Sequence, residues 1–226
     1  MIPLRDRNPT RTVPFVNIAL IVANVLVFLY QLSLGPGLEQ FYYRFGIVPQ
    51  ALTASLREGA VISVVGPMLS SMFLHGGWLH IGGNMLYLWI FGDNVEDKIG
   101  HGRYLVFYLL CGLISAAAHV LSNPMSTTPT IGASGAISGV LGAYLLMFPK
   151  ARVITIIPIF IFLQVAELPA LVVLGFWFIM QFLYGIVSIG SQAAESGGVA
   201  WWAHIGGFVA GIALVTPFRR IGRSST

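Results

Sequence analysis

In the stretch Ile131–Gly139, which reads IGASGAISG, Ser134 lies between small residues. A polar loop, SNPMSTTPT at 122–130, ends just before it, and an apolar run continues after it to Phe148. Glycines on both sides leave the serine hydroxyl uncrowded and allow another backbone to come close. The stretch therefore predicts a tightly packed helix that begins near Ser134 and presents this hydroxyl at its first turn.

The composition around this stretch is typical of a membrane protein. Of 226 residues, 56% are hydrophobic and only 9% are charged, whereas a soluble domain has about 25% charged residues. Too few charges remain to cover a surface that faces water, so the lipid bilayer is the expected partner. The formal charge of +4 rests on only twelve basic residues, whose positions follow membrane topology and do not indicate nucleic acid. The single cysteine, Cys111, excludes an intrachain disulfide.

Six apolar runs divide the chain and predict an all-α fold, a polytopic membrane bundle of six transmembrane helices. We expect residues 1–226 to form one membrane domain. A mixed segment at 35–70 is predicted to be a long loop with short helices of its own. The six predicted spans are residues 14–34, 79–91, 104–121, 134–148, 168–189 and 201–218.

The distribution of basic residues predicts the topology of these spans. Six spans place ten of the twelve basic residues on one side, which the positive-inside rule assigns to the cytoplasm. Both tails, residues 1–13 and 219–226, are then cytoplasmic. The apolar segment Val153–Val165 contains Pro158, and a seventh span there would move the last three arginines outside. We therefore expect an interfacial or shallow hairpin at 153–165.

Ser134 and His204 are predicted to lie at a similar depth in the membrane. Each stands fourteen residues before the last apolar residue of its run, Phe148 or Phe218, a distance of about 21 Å along a helix. That is about 10 Å short of the outer edge of a ~30 Å hydrocarbon core. Irregular backbone at such depth is tolerated only beside protein or water. We therefore predict a water-filled cavity, open to the outside, with Ser134 at its floor.

Small residues near Ser134 and His204 predict that their two helices touch. Close approach is common where glycines recur at helical spacing in membrane helices, and it would let a serine and a histidine share a hydrogen bond. The glycines concerned are Gly135, Gly139 and Gly142 after the serine, and Gly207 and Gly211 after the histidine.

The residue types at these positions predict acyl-transfer chemistry. Ser134 would be the nucleophile and His204 the general base that takes its proton. We expect no acidic residue near His204 at this depth, which predicts a dyad whose histidine is oriented by packing or water. His80 and Asn84 stand four residues apart on one helix face. With the backbone N–H of Ser134 they could stabilise an oxyanion.

Other interpretations of these polar residues remain open. A serine in a Gly-rich membrane helix can be packing material, and an intramembrane histidine can simply bridge two helices. His75 and His80 could be a metal pair, but no cysteine or carboxylate is placed to complete a site, so we predict neither a metal nor a cofactor.

The charged stretch after the second run has a structural interpretation. Glu96 and Asp97 are expected to face the cytoplasm and to pair with Lys98 or Arg103, since surface charge pairs are common.

Several motifs resemble those of the rhomboid intramembrane serine proteases. They are SMFLHGGWLHIGGN at 71–84, GDNVED at 92–97, GASG at 132–135 and AHIGGFVAG at 203–211. The resemblance implies a six-helix bundle with its site open to the outer side. We expect the membrane to be a prokaryotic inner membrane. The resemblance also implies Ser134 and His204 as a catalytic dyad, with His80 and Asn84 as oxyanion donors. The implied substrates are transmembrane segments of other proteins, cut near their outer end where small or helix-breaking residues loosen the helix.

Two positions depart from the pattern of this family. Ser138 stands where many rhomboids carry an aromatic residue that packs on the histidine ring. A Trp-Arg pair often found in the first long loop is absent from residues 35–70. On the predicted fifth span, Trp177 and Phe178 are bulky residues that could face the cavity and gate the approach of a substrate helix.

Two other functions compete with proteolysis as hypotheses for this sequence. A non-catalytic rhomboid-like protein would bind transmembrane helices for quality control or trafficking, but such relatives typically lose the serine or the histidine, and both are kept here. A small transporter would be expected to show repeated halves and charged residues at mid-membrane, and this sequence shows neither. The oligomeric state is not predicted.

Overall fold

The computed structural model describes residues 1–160, 162–188 and 199–221 as a helical bundle with a small sheet. The helices are α1 Phe15–Ser33, α2 Leu38–Phe45, α3 Pro49–Arg57, α4 Val61–Ser70, α5 Trp78–Ile99, α6 His101–Ser122, α7 Ser134–Met147, α8 Ala170–Ser188 and α9 Trp201–Ile221. The strands are β1 Ile2–Asp6, β2 Arg152–Ile159 and β3 Phe162–Pro169.

The predicted multi-pass helical fold is confirmed. In the described ranges, four helices, α1, α6, α8 and α9, are long and apolar enough to cross a membrane. Helix α5 meets this criterion together with the segment Val61–Phe73, from which an 88° bend separates it. Helix α7 is apolar but only 14 residues long. Six spans are consistent with this set once α5 and the short α7 are counted.

Helix α5 is longer than the second predicted span. It continues past residue 91, the predicted end, to Ile99. The charges at 93–98 suggested a turn, but they lie on helical backbone and one of them, Glu96, is buried.

Glu96 is one of these charges, and it is not the surface charge paired with Lys98 or Arg103 that the sequence predicts. Its side chain is fully buried and its two carboxylate oxygens accept hydrogen bonds from the backbone N–H groups of Val16 (3.0 Å) and Asn17 (2.7 Å). The N–H groups of a first helical turn have no partner within the helix, so Glu96 caps α1. Asp97 accepts hydrogen bonds from the backbone N–H and hydroxyl of Thr12 (2.9 and 2.6 Å), just before α1.

A polar face of α1 fixes this helix against the bundle. Asn17, Asn24 and Gln31 recur every seven residues and are all buried. The Asn17 amide donates to the carbonyl of Leu88 in α5 (2.9 Å), and its oxygen accepts from the Tyr104 hydroxyl in α6 (2.8 Å). Because buried amides need partners, Asn17 sets the register of α1 against α5 and α6.

The segment at 35–70 contains the short helices that its composition predicted. Helices α2, α3 and α4 follow one another there, and the last two pack against α6 around a separate apolar cluster. Its buried members are Ile47, Leu52, Val64, Met68, Ala116 and Val120.

Helix α7 lies at the centre of the bundle, and residues 135–144 are all buried. Its small residues bring its backbone against that of α9. A methyl group added at Gly207 would collide with the carbonyl of Gly135, and one added at Gly211 would collide with the carbonyl of Gly139. The predicted contact between these two helices is therefore present and is made by backbone atoms.

The apolar segment at 153–165 forms a hairpin, as predicted. Strands β2 and β3 pair antiparallel from Arg152↔Pro169 to Ile159↔Phe162. The sequence did not reveal that the first residues of the chain join this sheet, where β1 pairs antiparallel with β2 from Ile2↔Ile156 to Asp6↔Val153. Strand β1 has only five residues and contains Pro3, which suits an edge strand, so its formation depends on the partner strand.

Asp6 ends β1 against the bundle, where the Tyr144 hydroxyl of α7 donates a hydrogen bond to it. Burial raises the pKa of the Asp6 carboxyl to about 6, and the nearby charge of Asp93 acts in the same direction, while the hydrogen bond from Tyr144 opposes them. The ionised carboxylate is therefore less favourable in the folded protein than in the unfolded chain.

We expect Gly211→Ala to destabilise the bundle because the new methyl group meets backbone, which cannot turn aside. Overpacking of this kind costs about 1–3 kcal/mol, equal to a fall in Tm of about 2–12 °C for a chain of this size. The measurement is the apparent Tm of purified protein in detergent. The control is Gly82→Ala in α5, where nothing lies within 4 Å of the added methyl, and an equal fall in both variants would contradict the backbone contact.

We expect Asp6→Asn to raise the apparent Tm by about 2–4 °C at pH 8, because the variant removes a carboxylate that the fold disfavours. The difference should be complete above the folded pKa of about 6, shrink as the pH falls towards the ordinary pKa of 3.8, and vanish below it, where the carboxyl group is protonated in both states. Thermal melts between pH 4 and 8 measure it. Glu58→Gln, at an exposed position, is the control, and a pH-independent difference at Asp6 would contradict the explanation.

Candidate active site

The structure brings Ser134 and His204 together. Ser134 is the first residue of α7 and His204 lies in the first turn of α9. The Oγ atom of Ser134 and the Nε2 atom of His204 are 2.8 Å apart, a normal hydrogen-bond distance. The glycine contacts between α7 and α9 begin one turn below, so the packing of the two helices fixes this separation.

The other nitrogen of the His204 ring has a partner that the sequence reasoning missed. Its Nδ1 atom lies 2.8 Å from Oε1 of Gln181, which α8 supplies, and both side chains are buried. A signal for this residue was present, because Gln181 is the one carboxamide in the apolar run 168–189 and a polar side chain within a membrane span is a functional candidate.

Aromatic side chains pack around the His204 ring even though Ser138 replaces the usual one. The centre of the Trp177 ring of α8 lies 5.9 Å from that of His204, and the Trp201 ring meets it edge-on at 6.3 Å. Ser138 instead donates a hydrogen bond to the carbonyl of Ser134 (2.6 Å). The aromatic contact therefore comes from other helices.

The two bulky residues considered as gates differ in position. Trp177 lines the cavity beside His204. Phe178 stacks on Phe208 of α9, with ring centres 4.5 Å apart, so it contributes to the packing of α8 on α9.

His80 lies across the cavity from His204, at the start of α5. The backbone N–H of Gly76 donates to its Nδ1 atom (3.2 Å), so the proton of the neutral ring is on Nε2. A methyl group added at Gly132 would lie 2.8 Å from that Nε2 and 3.6 Å from the Ser134 Oγ. The two side chains thus border one small space, which the backbone of Gly132, with its φ of +131°, leaves open.

Asn84, one turn after His80, also lines this cavity. Its side chain is buried, and its Nδ2 group has no hydrogen-bond partner among the described residues. Buried amide groups are nearly always paired. The Nδ2 group of Asn84 is therefore available to donate a hydrogen bond to a molecule in the cavity.

His75 is held by its backbone rather than by its ring. Its N–H and carbonyl bond to the Gln31 side chain of α1 (3.0 and 2.9 Å), and the carbonyl also accepts from the Tyr42 hydroxyl (3.0 Å). Its ring packs edge-on against that of His80 at 5.1 Å. Within the described part of the chain, no three His, Cys, Asp or Glu side chains are grouped so that they could hold a metal ion.

A cavity of about 1380 Å³ contains Ser134 and His204. This is larger than the roughly 300–1,000 Å³ of a typical small-molecule pocket. Its polar lining includes Ser122 at the end of α6 and Asn123 and Thr130 of the loop before α7. Its aromatic lining includes Trp177 and Trp202. The space therefore presents both polar and aromatic surface beside Ser134 and His204.

These features define a multi-pass helical membrane protein whose cavity holds a hydrogen-bonded serine and histidine. The family model described as "Rhomboid domain" matches residues 63–221, well over half of the sequence, and the chain belongs to the rhomboid family.

Curated relatives share sequence with most of this chain. "Rhomboid protein 1, mitochondrial" of Saccharomyces cerevisiae is 28% identical over 200 residues, which cover 86% of this chain and 50% of the relative. "Presenilin-associated rhomboid-like protein, mitochondrial" of Homo sapiens is 28% identical over 207 residues, 87% of this chain and 46% of the relative. The chain spans about half the length of these relatives.

A bacterial relative matches a shorter part of the chain. "Rhomboid protease GluP" of Bacillus subtilis is 42% identical over 78 residues, 34% of this chain and 15% of the relative. With two mitochondrial names beside this bacterial one, the relatives do not support the expected prokaryotic inner membrane over other membranes.

Proposed function

We propose that this protein is an intramembrane serine endopeptidase that cleaves transmembrane segments of other membrane proteins with a Ser134–His204 dyad. The observation that carries this proposal is the 2.8 Å separation of Oγ and Nε2 within the cavity. Family membership supports it, and one relative is named as a protease.

Peptide hydrolysis at this site proceeds in two halves. Nε2 of His204 takes the Ser134 proton while Oγ attacks the scissile carbonyl carbon, which gives a tetrahedral oxyanion. The protonated histidine then donates that proton to the leaving amine, the C–N bond breaks, and an acyl-enzyme remains. Water attacks this ester with His204 again as base, and the acid product leaves as Oγ regains its proton.

Three donors around Ser134 suit the oxyanion. His80 carries its proton on Nε2, and Asn84 has an unpaired Nδ2 group. The backbone N–H of Ser134 opens α7 and has no partner within that helix. Donors that are fixed before the reaction stabilise charge without having to reorganise, and such electrostatic stabilisation is commonly the largest contribution to catalysis.

The proposed substrate is a transmembrane helix whose end has been unwound. A helical peptide carbonyl is already hydrogen-bonded within its own helix, so the scissile bond must leave the helix before Oγ can reach it. Small or helix-breaking residues lower that cost. We place the cut near the outer end of the substrate, with both termini of the protease in the cytoplasm, because of the distribution of basic residues.

A fluorophosphonate probe tests the activated serine without a substrate. We expect covalent labelling at Ser134, located by mass spectrometry, and loss of labelling in Ser134→Ala and His204→Ala. Ser122→Ala changes another serine of the same cavity and should label normally. Absence of labelling in folded wild-type protein, in detergent and again in lipid, would favour a helix-binding protein without catalysis.

The oxyanion donors are tested by the rate of cleavage of a model transmembrane substrate in proteoliposomes. His80→Ala and Asn84→Ala should each lower kcat by about 10²–10³ with little change in KM, because the bonds strengthen only in the transition state. Asn123→Ala removes another amide that lines the cavity and should retain the wild-type rate. An Asn84→Ala enzyme with full kcat would remove Asn84 from the oxyanion site.

A further inference from the structure

Gln181 stands on the far side of His204 from the serine. Its Oε1 atom is 2.8 Å from Nδ1 of the ring, whereas Ser134 contacts Nε2. Gln181 and His204 come from different helices, α8 and α9, and are 23 residues apart in the chain. The contact therefore depends on how these two helices pack.

The chemistry of an amide oxygen determines which ring nitrogen carries the proton. An amide oxygen only accepts hydrogen bonds, so the Nδ1 atom that faces it must be the N–H donor. In the neutral ring Nε2 is then unprotonated, and its lone pair points at the Ser134 hydroxyl. This is the tautomer that a general base requires.

The packed aromatic rings cannot supply this selection. Trp177 and Trp201 restrict the tilt of the His204 ring, but an apolar contact is compatible with either tautomer. A polar partner on Nδ1 is needed to distinguish them, and within the described residues Gln181 is the side chain that bonds there.

An amide also suits this depth better than the carboxylate of a soluble serine protease. A charged side chain within the bilayer is energetically unfavourable. A carboxylate at this position would therefore destabilise the resting enzyme, in which the histidine is neutral. A neutral amide is less unfavourable there and still offers an acceptor to the ring N–H, before and after the ring takes the serine proton.

We propose that Gln181 is a positioning residue that holds His204 in the Nδ1-protonated tautomer with Nε2 directed at Ser134. This inference rests on the proposed roles of Ser134 and His204. The tautomer and orientation of the general base, His204, thus depend on a third side chain, which α8 supplies. The arrangement is Ser-His-Gln, in place of a Ser-His dyad alone.

The first test is spectroscopic and needs no substrate. In ¹⁵N-histidine-labelled protein, the ring signals of His204 are assigned by their loss in His204→Gln. We expect the Nδ1-protonated tautomer in the wild type and a mixture of tautomers in Gln181→Met, which keeps the length of the side chain but not the acceptor. Wild-type protein with the proton on Nε2, or an unchanged spectrum in the variant, would overturn the proposal.

The second test separates positioning from folding. Gln181→Met should lower kcat by about 10- to 100-fold, as a displaced catalytic group does, with KM and apparent Tm near the wild-type values. Gln181→Glu restores an acceptor at the same place and should recover most of the lost kcat, although its buried carboxyl group should lower the apparent Tm. Leu183→Met, at an exposed position of the same helix, is the matched control.

The outcomes distinguish this inference from the proposed function. An inactive and unlabelled wild type rejects the protease itself. An active wild type whose kcat is unchanged in Gln181→Met, or whose loss is not recovered by Gln181→Glu in folded protein, rejects Gln181 alone.

Discussion

The contact between the backbones of α7 and α9 is the constraint on which the rest of this structure depends. At Gly207 and Gly211 the carbonyls of Gly135 and Gly139 occupy the space where a side chain would stand. Because no side chains lie between the two helices, their backbones are in direct contact. The distance between the helices is therefore fixed by atoms that cannot change rotamer. Ser134 and His204 lie at the N-terminal ends of these two helices, next to the glycine contact. The packing of the helices therefore sets the 2.8 Å distance between their side chains. Helix α8 packs on α9 and places Gln181 behind the histidine.

The sequence was sufficient for the parts of the fold that rest on local pattern. The apolar runs identified the long helices, and the glycine spacing identified the pair that touches. Pro158 and the arginine distribution excluded a seventh span at 153–165, where β2 and β3 now stand. Ser134, His204, His80 and Asn84 could be singled out because polar groups are costly inside a membrane and therefore conspicuous.

The parts that could not be predicted depend on partners distant in the chain. The charges after residue 91 predicted a turn. Glu96 is nevertheless buried, because its carboxylate binds the backbone N–H groups of the first turn of α1. Strand β1 carries almost no pattern of its own and forms only because β2 offers an edge. Gln181 carried a signal as the lone carboxamide of its run, but its bond to His204 appears only once α8 is packed on α9. The compensation for Ser138 by Trp177 likewise comes from a separate helix.

The cap that Glu96 provides to α1 has a consequence for the order of assembly during synthesis. The carboxylate is 80 residues downstream of Val16, and translation at about 5–20 residues per second adds a delay of several seconds. Until α5 arrives, the first turn of α1 has donors that only water or lipid headgroups can satisfy. Strand β1 can pair only after β2 has been synthesised, which is later still, because Ile2 pairs with Ile156. Strand β1 and the first turn of α1 therefore complete their contacts only after segments that lie far downstream in the chain have been synthesised.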